Sequence, residues 1–256
     1  MTLSRSMQKR IRALALKKYR DAEGLFVAEG HKVVEELLPS FPCRFAVFTP
    51  AFGAGAVWPH DTDVQMVEHG ELERLSLLKS PQQVLAVFEK HAKSGPWTDL
   101  TPSDIACSQL VLALDCVQDP GNLGTIVRIA DWYGIRHIFC SLDTADVFAP
   151  KTVQATMGSL GRVAVHYVDL SQWLSGLPAE VPVYGTFLDG TPIVSTSLTP
   201  YGVVVMGNEG RGIRDEVARY VSNRLFIPRY PADNDHPESL NVAVSTAVIC
   251  QEFRRN

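Results

Sequence analysis

The sequence predicts an α/β protein in two parts: a small α/β domain over residues 1–93 and a larger domain over residues 105–256 built on a parallel sheet. Three observations predict it. The second part holds near-continuous apolar runs, the signature of parallel strands buried on both faces. Helical patterns fall between or after those runs. The first part alternates shorter strand and helix patterns, as a sheet with helices on both faces requires. Between the parts lies HAKSGPWTDLTPSD (91–104), rich in Ser, Thr, Pro, Gly and Asp, which places a linker at 94–104.

Taken in order, the chain opens with a basic helix. It continues with GLFVAEG (strand), HKVVEELLPSF (helix), CRFAVFTP (strand), DVQMVEHGELERLSLL (strand into helix) and QQVLAVFEK (strand). In the second part the strand candidates are QLVLALDCV, HIFCS, VPVYGTFLD, GVVVMG and RLFIPR. The helix candidates are LGTIVRIADWYG, KTVQATMGSLG, RDEVARYVS and SLNVAVSTAVICQEFRRN. No internal repeat or low-complexity tract interrupts them.

Composition narrows the class. The 256 residues are 46% hydrophobic and 20% charged, as expected of a globular protein with a sizeable core. No apolar run approaches the roughly 20 residues of a membrane helix. The N-terminus lacks the apolar core of a secretory signal, so the expected location is cytoplasmic. The five cysteines form no CxxC pair, and the seven histidines are scattered. Reduced, buried thiols are expected, with no zinc framework, no disulfide framework and no Cys–His dyad.

Net charge is only −4, yet Arg5, Lys9, Arg10, Arg12, Lys17, Lys18 and Arg20 cluster with no acidic residue among them. Such a cluster suits phosphates, and it equally suits a solvated helix face.

Three loops at strand ends carry unusual residues. QDPGNLGTIVRIADWYGI (118–135) follows a strand-like run and opens a helix, like a dinucleotide loop. Its glycines, Gly121 and Gly124, do not have the G-x-G-x-x-G spacing that a pyrophosphate needs. Asn122 suits a helix cap, and Arg128 a solvated helix position. In VVVMGNEGRGI (203–213), three glycines surround Glu209, more than a turn requires. In IPRYPADNDHPESLNVAVSTAVIC (227–250), Pro228 ends a strand, and Ser239 and Asn241 open an apolar helix, with Ser239 as a candidate cap. Polar loops at the carboxyl ends of parallel strands are where open α/β sheets bind ligands.

Together, Asn122-x-Gly124-x-x-x-Arg128, then Gly207-Asn208-Glu209-Gly210-x-Gly212, then Ile227-Pro228 with Ser239-Leu240-Asn241, resemble the three motifs of the SpoU/TrmH family. These are RNA ribose 2′-O-methyltransferases of the SPOUT superfamily. Order, spacing and strand context match over residues 105–256, and residues 149–160 resemble the family's stretch between motifs. GLFVAEGHKVVEELL and QQVLAVFEK look like the family's substrate-binding domain, a small ribosomal-protein-like α/β/α module. One departure is the loop RYPADNDHPE (229–238), longer than the family pattern and without its glycine.

The resemblance implies a parallel sheet with a deep C-terminal trefoil knot. It implies S-adenosylmethionine as methyl donor, with no metal, held around Thr186, Phe187, Leu188, Gly207, Ile227 and Leu240. It also implies a homodimer with a shared site, and a ribosomal RNA substrate in preference to transfer RNA. Arg128 would contact the ribose oxygen and neighbouring phosphate. Glu209 would orient Arg128 or Asn122, or bind at the dimer interface. Asn122 and Asn241 would position the ribose and the arginine, and Ser239 would anchor the third loop. The basic cluster Arg5 to Arg20 would form a phosphate-binding surface. Two competing readings are a non-catalytic RNA-binding assembly factor and a nicotinamide-dependent oxidoreductase. The second lacks both the glycine spacing and an acidic residue after a clear second strand.

Overall fold

A computed structural model of the chain describes residues 3–52, 57–92, 102–230 and 239–255. It divides into two compact units, Met1–Thr98 with Asp146–Arg162, and Asp99–Ala145 with Val163–Asn256.

The first unit begins with α1 (Arg5–Ala13), capped by the Ser4 hydroxyl accepting from the Met7 N–H. The chain breaks at residues 14–16 and resumes as α2 (Lys17–Glu23), so the basic segment is two helices where the sequence suggested one. Then come β1 (Leu25–Glu29), α3 (His31–Leu37), β2 (Cys43–Phe48), β3 (Asp63–Met66), α4 (His69–Leu75) and β4 (Val84–Glu89). The sheet order is β1-β4-β2-β3. Only β2 and β3 run parallel. Side chains alternate across the sheet, which splits the core into two layers. Val27, Phe45, Val47, Leu85 and Val87 pack with Ile11 and Leu14 and with Leu72 and Leu75 on one face. Phe26 and Phe88 stack at 5.6 Å on the other, where Phe41 meets Phe26 edge-on at 5.3 Å.

The second unit opens with α5 (Pro102–Ser108), which begins inside the expected linker, and β5 (Leu110–Leu114). Then follow α6 (Pro120–Trp132) and β6 (His137–Ser141). The chain next contributes α7 (Pro150–Thr156) to the first unit. The reason lies in its contacts there. Phe148 lies 4.9 Å from Phe26, Asp146 takes an ion pair from Arg20, and the Ser40 hydroxyl donates to the Gly161 carbonyl.

The second unit continues with β7 (Ala164–Val168), α8 (Leu170–Ser175), β8 (Val183–Pro192), β9 (Gly202–Met206), α9 (Asp215–Ala218), β10 (Asn223–Phe226) and α10 (Val242–Phe253). Its sheet order is β10-β8-β9-β5-β6-β7, and every recorded pairing is parallel. Strands β5, β6 and β9 are buried along their whole length; β5 and β9 are apolar runs, and β6 is apolar between a buried His137 and a buried Ser141. Strand β7 and helix α8 were not expected. AVHYV is short and carries His and Tyr, and it sits at the sheet edge where burial is only partial.

One consequence positions the site. Strands β10, β8, β9 and β5 are adjacent and parallel, so their carboxyl ends share one edge of the sheet. Residues 227–230, 207–212 and 115–119 follow β10, β9 and β5 there, and residues 186–190 are an irregular stretch within β8.

Candidate functional site

The edge is held by a buried ion pair. Asp115, directly after β5, is fully buried. Its carboxylate accepts from the Arg214 backbone N–H at 2.8 Å and from the Arg214 guanidinium Nε at 2.8 Å and Nη2. Arg214 also reaches Asp143, after β6, at 3.1 Å. Hydrogen bonding to Asp115 raises the Arg214 pKa further, so the cation is permanent. The Ser141 hydroxyl helps hold the Asp143 carboxyl below its ordinary range. Next to Asp115, Cys116 takes a left-handed backbone with φ 58°. Its N–H donates to the Ser141 hydroxyl at 2.8 Å. Burial pushes the Cys116 thiol pKa up, which disfavours the thiolate a nucleophile needs.

The glycine loop after β9 closes on itself. Asn208 and Gly212 exchange backbone hydrogen bonds at 2.9 and 3.0 Å. A Cβ on Gly207 would lie 2.3 Å from the Gly212 carbonyl carbon, so only glycine lets the neck of the loop close. Asn208 anchors the loop. Its Nδ2 donates to the Cys116 carbonyl at 2.7 Å, and its Oδ1 accepts from the Gly210 and Arg211 N–H groups at 2.9 and 3.1 Å. The tip that projects is Glu209-Gly210-Arg211.

The third segment meets the first two through a directional chain of amides. Asn241 caps α10, its Oδ1 accepting from the Ala243 and Val244 N–H groups at 2.9 and 3.3 Å. Those donors fix the Asn241 amide, so its Nδ2 must point outward. It donates to Asn122 Oδ1 at 3.0 Å. The Asn122 Nδ2 in turn donates to Glu209 Oε1 at 2.9 Å. A helix end thus orders three side chains from three loops, and the relay ends on a carboxylate acceptor.

Two capping expectations change. Asp119 caps α6, accepting from the Asn122 N–H at 2.9 Å, and Pro120 takes the first turn. The Asn122 side chain is therefore released from capping and joins the relay. Asn241 caps α10, so Ser239 does not; it is exposed and makes no hydrogen bond with another described residue.

Glu209 meets Asn122 and not Arg128. Arg128 stands six residues beyond Asn122, about 120° around the helix. It is exposed and bonded to no described residue.

The segments expected to hold the methyl donor lie at the same edge. Strand β8 leaves register with β10 after Gly185, paired with Arg224, and resumes at Thr191, paired with Leu225. Thr186, Phe187 and Leu188 fall in that excursion. Arg224 stacks over the Phe187 ring at 3.5 Å and pairs with Asp189 at 2.6 Å, which pins the excursion. Leu188 and Leu240 are 63% and 53% exposed, and Ile227 is half-buried. Solvent-facing leucines on segments that follow a buried sheet fit an apolar ring as ligand. Gly207 is buried at the loop neck, where its contribution is closure. Residues 231–238 of the long third loop lie outside the described residues.

The basic cluster is less open than its sequence suggested. Arg20 is only 3% exposed. Its guanidinium donates to Asp146 at 2.6 and 3.1 Å and to the Leu14 and Ala15 carbonyls at 2.8 Å each. It is a core ion pair and offers nothing to a phosphate. Arg10 pairs with Glu23, Lys17 with Asp21, and Arg12 donates to the Arg74 carbonyl. Arg5, Lys9 and Lys18 remain exposed, with Lys18 resting over the Tyr19 ring.

Asp115, Arg211 and Arg214 were not singled out from sequence, and Asn208 was named there only as part of the second motif. Asp115 did carry a signal: a charge that directly ends the apolar run LVLAL needs a partner if the strand is buried.

Comparison with known proteins agrees with this geometry. The SpoU rRNA methylase family profile matches residues 109–251, and an MRM3-like substrate binding domain matches residues 7–86. The 23S rRNA (guanosine(2553)-2′-O)-methyltransferase RlmP of Bacillus subtilis is 31% identical over 245 residues, covering 94% of this chain and 93% of its own. A TrmH-family protein from Porphyromonas gingivalis superposes with a TM-score of 0.85 at 40% identity, covering 100% and 99% of the two chains. An AdoMet-bound rRNA methyltransferase from Sinorhizobium meliloti gives 0.80 at 32% identity, covering 100% and 97%.

Proposed function

The chain belongs to the SpoU rRNA methylase family, and from that premise we propose that it methylates a ribose 2′-hydroxyl of ribosomal RNA, with S-adenosylmethionine as donor. The observation that carries the reading is the Glu209–Asn122–Asn241 relay, which brings the three sequence motifs together at one sheet edge, with an uncommitted Arg128 farther along the helix that carries Asn122. The domains divide the work: residues 1–93 bind RNA substrate and residues 105–256 carry the transferase, with a deep trefoil knot in its C-terminal part. The protein acts in the cytoplasm, and large-subunit RNA is the favoured substrate.

When bound, S-adenosylmethionine supplies an electrophilic methyl group on a sulfonium. Thr186, Phe187, Leu188, Gly207, Ile227 and Leu240 belong to the segments that would hold it. A ribose hydroxyl is a poor nucleophile at neutral pH, so the site must assist loss of its proton and align it. Arg128 stabilises the developing alkoxide while the proton passes to phosphate or water. A guanidinium already carries its full complement of protons and is a poor proton acceptor. The relay holds Asn122 in one orientation, so the ribose meets a preformed surface. RNA is required because DNA lacks the 2′-hydroxyl.

The working unit is a homodimer with a shared site. Val244 and Val248 recur at helical spacing on α10, with Leu240 before it and Trp132 at the end of α6. All four are large and exposed, with Trp132 at 84%. Such an apolar face suits a second copy.

The test is transfer of labelled methyl from S-adenosylmethionine to unmodified ribosomal RNA and transfer RNA offered separately. Label is expected in the ribosomal pool at ribose, and Arg128→Ala is expected to lose most of it. Label at a base, or in transfer RNA alone, overturns the reading.

A further inference from the structure

We propose that Arg211, at the tip of the glycine loop, is an RNA-contacting residue that grips a phosphate beside the target ribose. The inference rests on the rRNA methyltransferase reading above and adds to it a second cation.

Around the sheet edge, Arg214 is spent on Asp115, Asp143 and Glu216. Arg224 is spent on Asp189 and the Phe187 ring. Arg254 donates to the Tyr133 carbonyl. Arg128 and Arg211 differ: both are exposed, and neither guanidinium bonds a described residue. Arg128 belongs to the motif that drew attention in the sequence. Arg211 was one unassigned letter between two glycines.

The loop holds Arg211 in place. Its N–H donates to Asn208 Oδ1, and Asn208 is itself tied to the Cys116 carbonyl and, through its backbone, to Gly212. The base of the loop is locked by Arg214 on the buried Asp115. The Arg211 backbone is thus fixed, and only its side chain remains to be ordered when a ligand arrives. That lowers the entropy cost of a contact. The flanks are open. A Cβ on Gly212 would meet nothing within 4 Å, and one on Gly210 only Asn208 Oδ1 at 3.8 Å. A bulky polyanion can approach where two glycines leave room. Two residues before Arg211, Glu209 closes the Asn122–Asn241 relay. The same short tip therefore carries one group turned into the site and one free cation beside it. A guanidinium that grips a phosphate next to the reacting sugar would orient the nucleotide without entering the chemistry.

Equilibrium binding separates this proposal from the catalytic reading. The probe is an unmodified transcript of large-subunit ribosomal RNA, titrated at several salt concentrations. Arg211→Ala is expected to weaken binding about three- to ten-fold and to lower the log–log salt slope by about one. Arg211→Lys keeps the slope, because a phosphate contact needs mainly charge. Arg136→Ala removes the same charge just before β6, at the opposite end of the sheet, and is expected to bind like wild type. S-adenosylmethionine binding by Arg211→Ala, measured by calorimetry, stays unchanged, which shows that the loop still folds. With saturating RNA, kcat stays within about twofold while KM rises. An unchanged slope and affinity in Arg211→Ala overturns the proposal. So does a loss matched by Arg136→Ala, or a fall in kcat at constant KM. If wild type binds the transcript without transferring methyl, and Arg211→Ala still loses the slope, the proposal stands and the catalytic reading falls.

Discussion

Two groups of cations in this molecule look alike in sequence and differ in structure. The N-terminal helices α1 and α2 carry seven Lys and Arg residues, and four of them are engaged: Arg20 is buried on Asp146, Arg10 and Lys17 pair with acids, and Arg12 donates to a carbonyl. The second unit carries fewer around its strand ends, yet Arg128 and Arg211 are left with no described partner while Arg214 and Arg224 hold the frame. Charge density marks the first region, and freedom from partners marks Arg128 and Arg211 in the second. A cation already desolvated and paired stabilises the fold and is closed to a ligand. One held on a rigid backbone with its charge free is available.

The largest effect tests the committed end of that contrast. Arg20→Ala leaves Asp146 buried without its partner and is expected to cost about 3–5 kcal/mol of stability, read by urea denaturation. Arg20→Met with Asp146→Leu should recover much of it, because replacing both charges removes the desolvation cost as well. A folded, stable Arg20→Ala that merely binds RNA less well would break the comparison. At the free end, Arg128→Ala is expected to lower methyl transfer about 10²- to 10³-fold with little change in the denaturation midpoint. A midpoint loss as large as that of Arg20→Ala would mean Arg128 is a structural residue.

Asn241→Ala sharpens the contrast, since this residue does both jobs. It removes the α10 cap, worth about 1 kcal/mol, and frees the Asn122 amide to rotate. Asn241→Asp keeps a capping oxygen and loses the amide donor. It should keep stability while its methyl transfer falls about tenfold, as expected when positioning is lost without the fold. Equal activity of Asn241→Asp and wild type would remove the relay from the mechanism.

These differences explain how far the sequence could be read. The parallel strands were legible because β5 and β9 are buried on both faces and so read as apolar runs, and β6 keeps an apolar centre between His137 and Ser141. The three loops were legible because glycines around Glu209 and a Pro-Gly-Asn turn have few structural uses. Arg20 was not legible: its partner is Asp146, and nothing within the basic segment signals a residue 126 positions away. The return of residues 146–162 to the first unit was hidden for the same reason, since Phe148 finds Phe26 only through tertiary packing. Asn122 was read as a cap because Asn favours that role. Asp119, three residues earlier, won it, and the amide that capping would have consumed became the middle of the relay.

The smallest effect decides what the exposed part of the N-terminal cluster is for. Asp21 accepts from Lys17 at 2.8 Å and from Lys90 at 2.6 Å. The Lys17 hydrogen bond, then that of Lys90, lowers its pKa from 3.8 to about 2. The folded pKa lies below the unfolded one, so the stabilisation is present above about pH 3.8 and is lost as pH falls through about 2. The pair is largely exposed and screened by salt, so the contribution to stability is small. Its effect on binding is more informative. Asp21→Asn releases the Lys17 and Lys90 ammonium groups, in the same unit as Arg5, Lys9 and Lys18, without adding a cation. If these helices hold RNA, affinity for a ribosomal transcript at low salt should rise about two- to threefold, and added salt should erase the gain. Unchanged affinity would mark α1 and α2 as a solvated face. The phosphate contacts of this protein would then have to come from elsewhere, with Arg128 and Arg211 the first to examine.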